Sequence, residues 1–171
     1  MSHLPWTRQL TGSTLTSWQR RGDDLWVHVD NIARYGLGWT GLLRLGETSA
    51  VLAHEARSGV TRALFDTRDD LAAATIADPT RFRDTLRDLV GTDRILVTEV
   101  AIAPARPTWW RIETRLDLRA LVWDGHTLTF QTSRQIGPGE TTDLRWTITC
   151  KDADLKFRPS VRATLSRLTR I

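Results

Sequence analysis

Few side chains in this 171-residue sequence combine in a pattern that performs chemistry. The four histidines, His3, His28, His54 and His126, are the natural bases, switches or ligands. His28 and Asp30 stand two residues apart on one face of an expected strand, so both can reach one metal ion; His54 with Glu55, or His126 with Asp124, can add ligands. A His-x-Asp pair also arises readily in any half-polar strand, and no HExxH, paired CxxC or EF-hand run accompanies it. The expectation is therefore no metal and no cofactor, with His28 and Asp30 as the pair to watch. Nucleophiles are no better placed. Cys150, the only cysteine, alternates with polar residues on the apolar side of its strand, where burial makes a thiol inert. No Gly-x-Ser-x-Gly elbow occurs, and Gly36-Leu37-Gly38 lacks the spacing and following lysine of a phosphate loop. Asp23-Asp24 and Asp69-Asp70 read as turn and helix-start residues. Glu99, inside the most apolar stretch, is the best single acid-base candidate, and a salt bridge to one of many arginines explains it equally well.

Indole and guanidinium groups are the unusual equipment. There are eight tryptophans, and all of the 24 basic residues except Lys151 and Lys156 are arginine. Trp110 and Ile112 share a strand face, which sends Trp109 to the other side with Arg111, Glu113 and Arg115. Tryptophan among arginines is the composition of an interface hot spot, and equally of a platform on which bases stack. Trp109, Arg111 and Arg115 are thus the protein-interface candidates. Trp18, Arg20 and Arg21, with Arg162, Arg167 and Arg170 of a terminal helix, are the candidates for nucleic acid or an acidic partner. The plainer readings are a covered tryptophan, a GC-rich genome that inflates arginine, and cations offsetting a helix dipole.

These residues need elements to hold them. Leu25, Val27 and Val29 alternate with Trp26, His28 and Asp30, and Leu144, Trp146, Ile148 and Cys150 alternate with Arg145, Thr147 and Thr149, as half-buried strands require. Asp124-Gly125 between Leu121-Val122-Trp123 and His126 to Phe130 predicts a two-residue hairpin turn with Trp123 opposite His126. Further strands are expected over residues 13–20, 39–45, 49–56, 60–66, 94–103 and 108–115. A helical pair is expected over 71–77 and from Pro79 to Gly91, where Phe82, Leu86, Leu89 and Val90 share one side. A last helix follows Pro159, with Val161, Leu165 and Leu168 opposite its arginines. Short connections impose antiparallel pairing. The fold class is α+β, mainly antiparallel β: about ten short strands, sandwich or barrel-like, a helical pair in the middle and a C-terminal helix, in one domain over 1–171 with 1–12 as an extended arm.

The charge narrows the partner. The isoelectric point is near 10.2 although the formal charge is only +4, because little titrates between neutrality and arginine. Four charges over about 8,500 Å² of folded surface are dilute, so location matters more than the isoelectric point. The start of the chain lacks the pattern of a signal peptide and no apolar run approaches a membrane span, which gives the expectation of a soluble, cytoplasmic protein without membrane insertion. The function expected is a non-enzymatic binding or assembly subunit, homo- or hetero-oligomeric, of a structure such as a virion, tail or secretion apparatus, contacting other chains through a Trp/Arg-rich sheet face and strand edges. One alternative is a nucleic-acid-binding protein. The other is an enzyme or ligand carrier whose curled sheet encloses His28, Asp30, His54, Glu55 or Glu99 beside Trp26 and Trp110; clustering of those groups in one cavity favours it, and their dispersal favours assembly.

Overall fold

A computed structural model describes residues 10–34, 37–66, 79–91 and 109–159. Ten strands and one helix are found there: β1 (Thr14–Arg21), β2 (Asp24–Arg34), β3 (Leu37–Gly46), β4 (Ala50–Glu55), β5 (Thr61–Asp66), α1 (Pro79–Val90), β6 (Trp109–Asp117), β7 (Leu121–Trp123), β8 (Thr127–Gly137), β9 (Glu140–Thr149) and β10 (Asp152–Pro159). They form two five-stranded sheets, ordered β10-β3-β2-β1-β6 and β5-β4-β9-β8-β7. Every pairing is antiparallel, as the short connections demand.

The alternating residues of both sheets meet in one hydrophobic core. Leu25, Val27 and Val29 of β2, Ile112 and Leu116 of β6, Val51 and Ala53 of β4, and Leu144, Trp146 and Ile148 of β9 are all buried in it. Trp18 from the first sheet meets Trp146 from the second with ring centroids 5.6 Å apart, and Trp146 stacks on Phe130 at 5.8 Å with the planes 9° apart. The helix adds Phe82, Leu86, Leu89 and Val90 to this core, and Phe82 lies 5.8 Å from Trp18. Its end is set by Gly91, whose amide donates to Arg87 O at 2.8 Å and whose φ of 85° then turns the chain out of the helix. Leu10, near the end of the expected arm, is fully buried.

Mainly antiparallel β with one helix is thus what the described residues hold. The other member of the expected helical pair, the strand over 94–103 and the C-terminal helix with Arg162, Arg167 and Arg170 lie outside them. Three details depart from expectation. β10 was not anticipated, although Ala153, Leu155 and Phe157 alternate with Asp154 and Lys156. The hairpin turns over Gly125-His126, so that Trp123 pairs with Leu128 instead of His126. Asp124 Oδ1 accepts the amides of His126 (2.8 Å) and Thr127 (2.6 Å), which makes the aspartate the residue before the turn and leaves Gly125, at φ 94°, as its first central residue. Those two bonds also hold the Asp124 carboxyl below the usual carboxylate range. Lastly, β1 bulges between Leu15 and Ser17 against both neighbours. Among the described residues, no helix is long and apolar enough to cross a membrane.

Candidate functional site

The outward face of the first sheet follows from the alternation of its strands and the bulge in β1. Past the bulge, Trp18 and Arg20 turn inward, while Ser17, Gln19 and Arg21 turn outward. On the adjacent β2, Trp26 and His28 share that outward face, because Leu25, Val27 and Val29 fill the core. The register then aligns two rows across all five strands: Asp154, Arg44, Trp26, Gln19 and Arg111, and beside it Lys156, Leu42, His28, Ser17 and Glu113.

Trp26 sits in the middle of its row, half-buried. The Arg21 guanidinium carbon lies 5.1 Å from its ring centroid, and Arg21 Nη2 donates to Gln19 Oε1 at 3.0 Å. Cation and indole therefore form one platform. Gln19 and Ser17 face outward and are nevertheless buried. Among the described residues the Ser17 hydroxyl has no hydrogen-bond partner. His28 Nδ1 lies 3.1 Å from Thr16 Oγ1, the hydroxyl at the bulge.

The charges around the tryptophan come in neighbours of opposite sign. Arg44 contacts Asp152 at 2.7 Å and Asp24 at 3.6 Å, and the Asp152 hydrogen bond raises its pKa above the ordinary arginine value. Glycine at 46 makes room for the pair: a Cβ there would stand 1.9 Å from Asp152 Oδ1 and 2.7 Å from Arg44 Nη1. Arg111 is 3.6 Å from Glu113. Asp154 and Lys156 are exposed on the outermost strand β10.

The expected site residues are distributed unequally over this framework. Arg21, Arg111 and Arg115 face outward on the first sheet, and the backbone register sets Trp109 opposite Arg21 and Trp110 opposite Arg20. Trp18 and Arg20 contradict the expectation of a nucleic-acid surface. Trp18 is fully buried in the aromatic core, and Arg20 is 5% exposed at the inner rim, with its guanidinium 3.8 Å from Asp23. The bulge at Thr16 is the reason, since it carries both residues to the inside. Burial lowers the Arg20 pKa, and Asp23 and Asp24 oppose the shift.

The histidines do not converge. His28 lies on the outer face of the first sheet and His54 on the outer face of the second, where its Nδ1 is 2.9 Å from Thr61 Oγ1; His126 is exposed in the β7–β8 turn. Asp30 stays half-buried beside the second bulge, at Asn31. No group of three His, Cys, Asp or Glu that could hold a metal ion occurs among the described residues, and Glu99 lies outside them. Cys150 is buried, and desolvation, reinforced by Asp152, pushes its thiol up to about 12. Two open concavities are not lined by these groups. One of about 690 Å³ is formed by Thr11, Gly12 and residues 117–122, and one of about 630 Å³ by Ala56, Arg57 and residues 139–143.

Sequence reasoning passed over Arg44 and Asp152 as members of this face. Their signals were present: Arg44 lies between Leu43 and Leu45, and Asp152 opens the alternation that forms β10. No family model matches this chain, and neither a curated protein nor a solved structure matches it.

Proposed function

We propose that the chain is a non-enzymatic binding subunit of a protein assembly, and that it contacts other chains through the outward face of its first sheet, around Trp26. The observation that carries this reading is the platform of Trp26 and Arg21 at the centre of a five-stranded face, ringed by paired charges. A large rigid aromatic backed by arginine and bordered by polar groups is the composition in which interface energy concentrates. The dispersal of His28, His54 and His126 over three separate places supports binding over acid-base chemistry.

Nucleic acid is the poorer partner for this face. Arg21, Arg44, Arg111, Arg115 and Lys156 share it with Asp24, Asp30, Asp152, Asp154, Glu113 and Asp117, so a polyanion meets no net positive field. Placement in the cytoplasm, within a larger particle, belongs to the same proposal. Size-exclusion chromatography with light scattering and absorbance at 260 and 280 nm, at low and high salt, separates protein oligomer, nucleoprotein and monomer. Protein-only complexes that Trp26→Ala or Arg111→Ala weakens are the expected result. Complexes unaffected by both substitutions, or rich in nucleic acid, would refute it.

A further inference from the structure

We infer that the partner on this face is a second copy of the same chain, docked about a two-fold axis that runs along β2. The inference rests on the reading of the Trp26 face as an interface and adds who occupies it.

The order of charge across the sheet is what a second copy would complement. β2 is the middle strand of five, with β10 two strands to one side and β6 two strands to the other. A two-fold axis along the middle strand brings each position on the β10 side over the equally distant position on the β6 side in the second copy, row by row. In the Trp26 row the ends are Asp154 and Arg111; in the His28 row they are Lys156 and Glu113. Both rows therefore end in opposite signs, and the sign order reverses between them. Docking sets Asp154 against Arg111 and Lys156 against Glu113, each twice by symmetry. Trp26 meets its own copy on the axis. Asp154 and Lys156 have no ion-pair partner among the described residues, so these contacts break no existing pair on β10.

The inner positions tolerate the same arrangement. Arg44 faces Gln19 and Leu42 faces Ser17 of the second copy. Two like-charge meetings lie on the axis: Asp24, with Arg44 of its own chain 3.6 Å away, and the half-buried Asp30 beside the Asn31 bulge, at the end of the patch. Sheets packed face to face align within about 30°, which displaces a pair about 10 Å from the axis by about 5 Å, within the reach of arginine and lysine. Five strands about 4.8 Å apart and six residues of strand length outline about 500 Å² per copy, or about 1,000 Å² in all. That is the lower end of a specific interface and implies a weak, concentration-dependent dimer rather than a permanent one.

The symmetry supplies its own test. Sedimentation equilibrium of the full chain over a concentration series gives the dimer constant for wild type, Asp154→Lys, Arg111→Glu and an equimolar mixture of the two variants, with circular dichroism confirming the fold of each. Either variant alone brings like charges together twice, and its dimerisation should weaken about tenfold or more. In the mixture, Lys at 154 of one chain meets Glu at 111 of the other, while Asp154 meets Arg111 at the second contact. The mixture should recover to within about threefold of wild type. A mixture no tighter than the separate variants, or a wild-type chain monomeric throughout, overturns the inference. A monomer whose binding of a different protein still depends on Trp26 leaves the interface reading standing; loss of that dependence as well removes both.

Discussion

Trp18 and Trp146 meet from opposite sheets at 5.6 Å, yet among the described residues only one of the two indoles has a hydrogen-bond partner: Trp146 Nε1 donates to Thr132 Oγ1 at 2.9 Å. The Trp18 N–H is buried with no partner among the described residues. Thr132→Val keeps the volume and removes the acceptor. The expected loss is about 1–3 kcal/mol of unfolding free energy, the cost of orphaning a buried donor, measured by urea denaturation. Trp18→Phe has no such bond to break, so its cost is the volume lost. An unaltered midpoint for Thr132→Val would show that the bond does not matter to the core.

The space above Gly46 is taken by the ends of Asp152 and Arg44, so Gly46→Ala must displace Asp152 from Arg44. Both are the far ends of partly exposed side chains that can swing aside, so the cost should be that of the ion pair, about 1 kcal/mol or less. Arg44→Ala, which removes only partly exposed ion pairs, should cost about 1 kcal/mol or less. Thermal unfolding of both variants should show similar small losses, since each breaks the same pair; a much larger loss for Gly46→Ala would show that the two side chains cannot move aside.

The Cys150 thiol should be inert in the folded chain. Burial raises its pKa to about 12, so at pH 8 it is protonated and covered, and a thiol reagent should modify it only at the rate of unfolding. The sign of the linkage follows. The folded pKa lies above the unfolded value of 9.0, so the contribution is complete below pH 9 and is lost as pH rises toward about 12. Stability should decline there by at most about 1.4 kcal/mol per pH unit from this group. Cys150→Ser, which does not titrate in that window, should flatten the decline; an identical slope would assign it to other groups.

Gly91 closes α1 at φ 85°, a conformation that costs an L-residue about 1 kcal/mol. Gly91→Ala should lose that amount. It should also loosen the helix that delivers Phe82 to Trp18, which amide exchange along residues 82–90 would report as faster opening. Protection equal to wild type would show that the helix end does not govern its docking.

Much of the secondary structure was legible because alternation is a local property. Leu25-Val27-Val29 and Leu144-Trp146-Ile148 announced their strands and inward faces, and Phe82-Leu86-Leu89 with Gly91 announced the helix and its end. β10 escaped because its three apolar residues, Ala153, Leu155 and Phe157, follow directly on β9 with no glycine or proline turn to announce a new strand. Trp18 and Arg20 lie inside because a single bulged residue, Thr16, reverses inside and outside for the rest of the strand, and nothing local in the sequence marks it.

The amino-acid order alone determined the described strands other than β10, that they pair antiparallel, and that tryptophan and arginine are plentiful, since side-chain periodicity and short connections act over a few residues. Only the tertiary structure decided that β2 is the middle strand, that β10 and β6 flank it at equal distances, and that Trp26 rather than Trp18 is the outward indole. Those outcomes depend on which strand edges meet after burial has sorted every apolar face at once, a competition among segments up to a hundred residues apart that no single segment encodes.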